Sequence, residues 1–251
     1  IGEIDLENPD YFMASSNVVQ FAIDKGYYDP ESGKPFNFTD AYDPWTRGTI
    51  NDHRCWRVLD LVAPSLNLNP DTPDDELPFS VKPDSLVSVQ DIMNIHRDHY
   101  EGTKFDTSKG ITAGPYENPN VVRSIRFKID DKTYCYPRTI AYLSTEYTTV
   151  TQSRSWLPDA IGGVTWVSFG TTDTSCFMPL YAGITKLPES FTIGNHWELN
   201  RDSARWAFDY ANAFVQQKYS YAIKDVNEEI FKWEGGAISK QAEIDMKAYK
   251  Y

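Results

Sequence analysis

The stretch at 142–185 constrains the fold most tightly. Three runs rich in β-branched and aromatic residues, 142–154, 163–169 and 175–185, are separated by turn-forming breaks at 158–163 and 170–174. Runs of that length bounded by Gly, Pro, Asp and Ser read as consecutive strands, and breaks this short return the chain antiparallel. A polar, aromatic loop follows, Gly194-Asn195-His196-Trp197. An amphipathic helix then begins near Asp202, with Ala207, Tyr210, Ala211 and Phe214 as its apolar stripe. A three-stranded meander feeding a helix places the chain in the α+β class.

The remaining segments supply helices and one more hairpin. Ser16 precedes a helical run ended by Gly26, which offers a left-handed stop. Residues 49–61 read as a helix capped by Asn51 or Asp52, with Cys55, Val58, Leu59 and Val62 on one face. Ser88 and Asp91 form a capping-box pattern for a helix over 89–100, which puts Ile92, Ile95, His96 and His99 on one side. The alternation over 121–129, a turn at 130–132 and a return over 133–140 predict a hairpin. After the helix at 202, a second helical run over 219–233 is expected to stop at Gly235-Gly236, with a last amphipathic piece over 240–249.

A chain of 251 residues buries a sizeable core as one domain, 1–251. The formal net charge of −12 disfavours partners that need a cationic surface, so nucleic acid and anionic membranes are not expected. No run reaches the apolar length of a membrane span. The three cysteines, Cys55, Cys135 and Cys176, are widely spaced and form no CxxC pair, which fits neither a zinc site nor a disulfide framework. Ile1 opens the chain in mid-pattern without a Met, so it is expected to be a segment of a longer protein.

Several constellations could carry chemistry. His96 and His99 at i and i+3 could share a metal, but no third ligand is set by spacing, and surface or capping histidines are the expectation. Arg54 and Arg57 on one helix could hold a carboxylate as a rigid fork, or pair structurally with Asp52 and Asp60. The polar strand end Thr151-Gln152-Ser153-Arg154 could face a cleft or form a satisfied turn. Asn195-His196-Trp197-Glu198 could be a binding loop or a helix cap. Phosphate-loop, dinucleotide and G-x-S-x-G patterns are absent. On chemistry alone the chain is an acidic α+β domain.

The same stretches resemble the dipeptidase A family of cysteine-type N-terminal-nucleophile hydrolases. The resemblance is carried by Val150-Thr-Gln-Ser-Arg-Ser-Trp-Leu-Pro-Asp-Ala-Ile-Gly-Gly-Val164, Thr174-Ser-Cys-Phe-Met-Pro-Leu-Tyr-Ala-Gly183, Leu187-Pro-Glu-Ser190 and Asn195-His-Trp-Glu-Leu-Asn-Arg-Asp-Ser-Ala-Arg-Trp206. Further matches lie at 1–5, 55–59, 97–103 and 109–115, so nearly the whole chain is spanned.

The resemblance is to the C-terminal portion of that family and implies an α-β-β-α sandwich that lacks the strand bearing the N-terminal nucleophile. The family's nucleophile is a cysteine at the start of the mature chain, activated by its own α-amine. None of Cys55, Cys135 and Cys176 matches it, so these 251 residues alone are expected to hydrolyse no peptide. By resemblance, Arg54 in Arg54-Cys55-Trp56-Arg57-Val58 would stabilise developing negative charge, with Arg57 the runner-up. Arg57, Gln152, Arg154, Asn195 and His196 are the expected substrate-binding residues. No metal or other cofactor is implied. The expected partners are dipeptides, the N-terminal remainder of the same protein and a possible second copy. Rival readings are an Ntn amidase for other amides and a non-catalytic binding domain.

Overall fold

The computed structural model describes residues 8, 10, 12–43, 52–73, 76–120 and 126–250. The predicted helix start at 49–51, the first part of the hairpin strand at 121–125 and the motif at 1–5 lie outside them. The architecture is mixed helix and sheet. Short helices α1 (Val18–Asp24) and α2 (Phe38–Tyr42) precede α3 (Asp52–Val62) and α4 (Val89–Ile95). A hairpin follows, β1 (Arg126–Ile129) and β2 (Lys132–Cys135), then β3 (Tyr147–Ser153), α5 (Asp159–Gly162), β4 (Gly163–Phe169) and β5 (Met178–Tyr181). Helices α6 (Ala204–Val215) and α7 (Tyr219–Tyr249) close the described chain.

The predicted meander is present as an antiparallel sheet in the order β3-β4-β5, with Val150 opposite Trp166 and Trp166 opposite Pro179. Its strands are shorter than the runs at 142–154 and 175–185, because turns at both ends use residues that have strand propensity. Alternation divides the sheet cleanly. Val150, Val164 and Trp166 point inward and pack with Met93 and Phe177. Val89 and Ile92 of α4 and Ala237 and Ile238 of α7 complete that core. On the other face, Tyr147, Thr149, Thr151 and Ser153 of β3 are exposed.

The hairpin forms at its predicted turn, where Asp130 and Asp131 both take left-handed φ values of 46° and 63°. Two positive φ values are what a two-residue hairpin turn requires. The Ser88 capping box is also present. Asp91 N–H donates to Ser88 Oγ at 3.2 Å and Ser88 N–H donates to Asp91 Oδ2 at 2.8 Å.

Four helical expectations are corrected. In α3 the buried side chains are Trp56 and Arg57, whereas Cys55 and Val58 are exposed. The large indole sets the roll of the helix by packing with Leu77 and Tyr100. Helix α4 ends at Ile95 rather than Tyr100. The Asp98 carboxylate accepts the Tyr100 N–H at 2.8 Å, and Tyr100 sits at φ 66°, so a side-chain turn replaces the last helical turn. His96 and His99 therefore do not share a helix face, and His99 is buried rather than at the surface.

In α6 the expected apolar stripe of Ala207, Tyr210, Ala211 and Phe214 is exposed, and the helix packs through Phe208, Asn212 and Val215. Finally, α7 passes through Gly235 and Gly236 unbroken for 31 residues. The buried Glu234 ties it there to Gln90 of α4 and to Arg97 just beyond that helix. No helix of the described residues is long and apolar enough to cross a membrane.

Candidate active-site cleft

The turn that ends α4 and the β4–β5 connection face the first turns of α7 across an open cleft of about 450 Å³. Arg97 holds these walls together. Its Nε donates to the Thr172 carbonyl at 3.0 Å and its Nη2 to the Ser175 carbonyl at 3.0 Å. Its Nη1 reaches Glu234 Oε2 at 3.0 Å. Glu234, fully buried on α7, also accepts the Phe177 N–H at 2.7 Å and the Gln90 side-chain amide at 3.2 Å. A buried ion pair with this many supporting hydrogen bonds has its desolvation cost offset and fixes one geometry. The consequence is that Asp173, in the middle of the clamped connection, is held next to His99.

His99 is the centre of the cleft's polar wall. Its Nδ1 lies 3.1 Å from Glu101 Oε1, and its backbone N–H donates to Glu101 Oε2 at 2.7 Å. Its Nε2 stands 3.5 Å from Asp173 Oδ2 without hydrogen-bond geometry. Asp173 Oδ2 is occupied by the Tyr219 hydroxyl at 2.8 Å and the Asn120 amide at 3.2 Å, while Oδ1 has no hydrogen-bond partner.

Burial alone would lower the His99 pKa, but the Glu101 hydrogen bond and the Asp173, Glu101 and Asp98 carboxylates together raise it. Burial works the other way on Glu101, yet its hydrogen bonds to the His99 side chain and backbone hold it below the ordinary carboxylate range. Tyr219 is raised, mainly by burial and then by Asp173, so it stays a hydrogen-bond donor. Among the described residues no three His, Cys, Asp or Glu side chains converge to hold a metal ion.

The sequence-predicted binding residues are dispersed. Arg57 is buried with every guanidinium nitrogen engaged. Its Nε and Nη2 grip Asp98 at 2.8–3.1 Å, Nη1 reaches Asp60 at 3.0 Å, and Nη2 also reaches the Glu101 carbonyl at 3.0 Å. The structural pairing with Asp60 left open by the sequence is therefore present, and Arg57 braces the cleft from behind rather than lining it. Arg154 is buried beneath α7, paired with Asp245 and bonded to the Ile161 carbonyl at 2.5 Å. Gln152 accepts from the Gln241 amide at 2.8 Å on the same inner sheet face. Arg54 is half-buried near Tyr100, Arg138 and Tyr142. Burial lowers its pKa, the Tyr100 hydroxyl opposes this, and the Arg138 guanidinium adds to the lowering.

Asn195 and His196 sit at a separate small cleft. There the Asn195 side chain accepts the Trp197 and Glu198 N–H groups at 2.8 and 3.0 Å, and its carbonyl accepts the Trp206 indole. Asp173 and Tyr219 carried no motif. The only sequence signal was the polar run Thr171-Thr172-Asp173-Thr174-Ser175, which reads as an ordinary turn.

Comparison with known proteins gives this arrangement a context. The model of peptidase family C69 matches residues 1–232. The chain belongs to peptidase family C69. Among curated relatives, a probable dipeptidase of Salmonella dublin is 30% identical over 175 residues, covering 69% of this chain and 35% of that protein. A probable dipeptidase of Latilactobacillus sakei is 25% identical over 230 residues, 88% of this chain and 44% of that protein. Dipeptidase A of Lactobacillus helveticus is 24% identical over 203 residues, 80% of this chain and 38% of that protein. The chain thus spans less than half the length of these relatives.

Within this C69 chain two of the three cysteines, Cys55 and Cys176, can be compared as nucleophiles; the Cys135 side chain lies outside what the structure describes. Cys176 is half-buried, and burial, reinforced by Glu234, pushes its thiol up to about 12. A thiol so seldom ionised is a poor nucleophile near neutrality. The Cys55 thiol is exposed on α3, and neither residue lines the cleft.

Proposed function

We propose that the intact protein hydrolyses free dipeptides to amino acids. The C69 match over 1–232, with relatives named as dipeptidases, carries this reading. In this proposal the enzyme is a cysteine Ntn hydrolase whose nucleophile lies outside these 251 residues, a view supported by the raised Cys176 thiol. The thiolate attacks the peptide carbonyl, the leaving amine takes a proton, and water then releases the acyl group from sulfur. Arg54 stabilises the developing oxyanion or holds the substrate carboxylate.

The sheet β3-β4-β5 is proposed as one layer of an α-β-β-α sandwich. Its inner face is packed on α4 and α7, and its outer β3 face offers exposed Tyr147, Thr149 and Thr151 to a second sheet.

The test is product analysis of the intact protein with Leu-Gly and N-acetyl-Leu-Gly, before and after thiol alkylation. Leu-Gly is expected to be cleaved, the acetylated peptide spared, and alkylation to abolish turnover. Cleavage of N-acyl amides in place of free dipeptides would instead identify an amidase. Arg54→Ala should lower turnover about 100-fold without loss of folding, the scale of one oxyanion-stabilising group; unchanged kinetics would remove Arg54 from the site.

A further inference from the structure

The cleft holds polar atoms that the fold itself does not use. His99 and Asp173 are both more than nine-tenths buried, both line the cleft, and His99 Nε2 and Asp173 Oδ1 have no hydrogen-bond partner among the described residues. Leaving two such atoms unsatisfied is costly, and a donor bound in the cleft that reached them would offset that cost.

The charges lining the cleft narrow what that group can be. Asp98 is neutralised by Arg57, Arg97 by Glu234 and Glu117 by Lys109. What remains among the described residues is Asp173, Glu101 and His99 on one wall and Lys224 on the rim, exposed and with no ion pair to another described residue. Even with His99 protonated, that wall keeps one negative charge in excess. A divalent cation is a poor match, because no three ligating side chains converge among the described residues. An ammonium group supplies the hydrogen-bond donors that carboxylates accept, and its charge balances the excess.

We propose that this cleft binds the free α-ammonium group of a zwitterionic ligand, a dipeptide or a released amino acid, with Asp173 and Glu101 as acceptors and Lys224 on the rim for the ligand's carboxylate. The identity of the ligand rests on the proposed dipeptide hydrolysis; the ammonium preference rests on the cleft alone. It gives an exopeptidase a physical reason to require an unblocked N-terminus. Acylation removes the charge and leaves Asp173 Oδ1 without a donor.

The test is calorimetric titration of the intact protein with L-leucine, L-leucinamide and N-acetyl-L-leucine, none of which presents a dipeptide bond. Leucine and leucinamide are expected to bind. N-acetyl-leucine is expected to bind roughly tenfold or more weakly, the scale of a lost charge-assisted hydrogen bond. Asp173→Asn keeps an acceptor for Tyr219 and should weaken leucinamide by a similar factor. Glu101→Gln, at a half-exposed side chain whose amide oxygen can still accept the His99 N–H, should also weaken it in the folded variant.

No binding of leucinamide, equal binding of the acetylated ligand, or unchanged affinity in Glu101→Gln and in folded Asp173→Asn each overturns the proposal. The two readings fail separately. Dipeptide hydrolysis with unchanged variant affinities rejects the cleft and leaves the activity. Leucinamide binding with no hydrolysis does the reverse.

Discussion

His99 is a titratable group held among carboxylates, and its environment makes folding depend on pH in a definite sense. Its folded-state pKa is raised above the ordinary value of 6.5 by Glu101, Asp173 and Asp98, after burial has worked against them. The folded protein therefore binds the proton more tightly than the unfolded chain. The resulting stabilisation is fully present below the unfolded value and is lost as pH rises through the folded one. Urea unfolding of the wild type and His99→Gln should show a stability difference that is largest near pH 6 and shrinks on going alkaline. A difference that is flat, or grows with pH, would refute the assignment. The tyrosine facing this cluster, Tyr219, does not confuse the reading, because its raised pKa keeps it protonated throughout. Arg57 gives a second residue-level prediction. Arg57→Ala leaves Asp98 buried and unpaired and should cost about 3–5 kcal/mol in urea unfolding. Asp98→Asn should cost less, because Asp60 still balances Arg57 and an amide oxygen can still accept the Tyr100 N–H. Equal losses would show that the ion pair is not what matters there.

At the level of elements, α7 shows how a local signal can be overridden. Two adjacent glycines disfavour helix by about 1 kcal/mol each, yet the Glu234–Arg97 pair and the packing of Ala237 and Ile238 hold the helix together across them. A Cβ added at Gly235 or Gly236 meets nothing within 4 Å. Gly235→Ala and Gly236→Ala should therefore each raise stability by about 0.5–1 kcal/mol, measured as a higher melting temperature. A loss would mean that the glycines serve an approach by another surface. The same helix marks the boundary of what was legible in advance. The meander, the Asp130-Asp131 turn and the Ser88 capping box follow from local propensities, so they could be read directly. The roll of α3 depended on where Trp56 found partners, and the end of α4 on a hydrogen bond from Tyr100 N–H to Asp98. The packed side of α6 contains Asn212, which bonds Thr171 and Thr174, so counting apolar residues selected the opposite face. The cleft was least legible, because Asp173 and Tyr219 come from distant parts of the chain and join Arg97 and His99 without a motif common to all four.

For the whole molecule, the informative surface is the outer face of the sheet. Strand β3 presents Tyr147, Thr149, Thr151 and Ser153 outward, and the paired outer positions of β4, Thr165, Val167 and Phe169, are only half-buried. A sheet with one packed face normally alternates apolar-in and polar-out. This outer face instead mixes threonines with Tyr147, Val167, Phe169, Met178 and Leu180, a composition suited to a second sheet. The matched region covers less than half of each of these relatives, which leaves ample sequence in those proteins to supply one. Thr149 decides between a wet and a covered face. On an exposed strand, Thr149→Lys should change stability by no more than about 0.5 kcal/mol. Beneath a second sheet, the same change places an unpaired ammonium between packed layers and should cost about 3 kcal/mol or more. The proposed sandwich predicts the larger value for the intact protein in urea unfolding, together with slow amide exchange along β3. A neutral Thr149→Lys variant with rapid exchange at β3 would mean that the strand faces solvent and that the sandwich is not formed on this side.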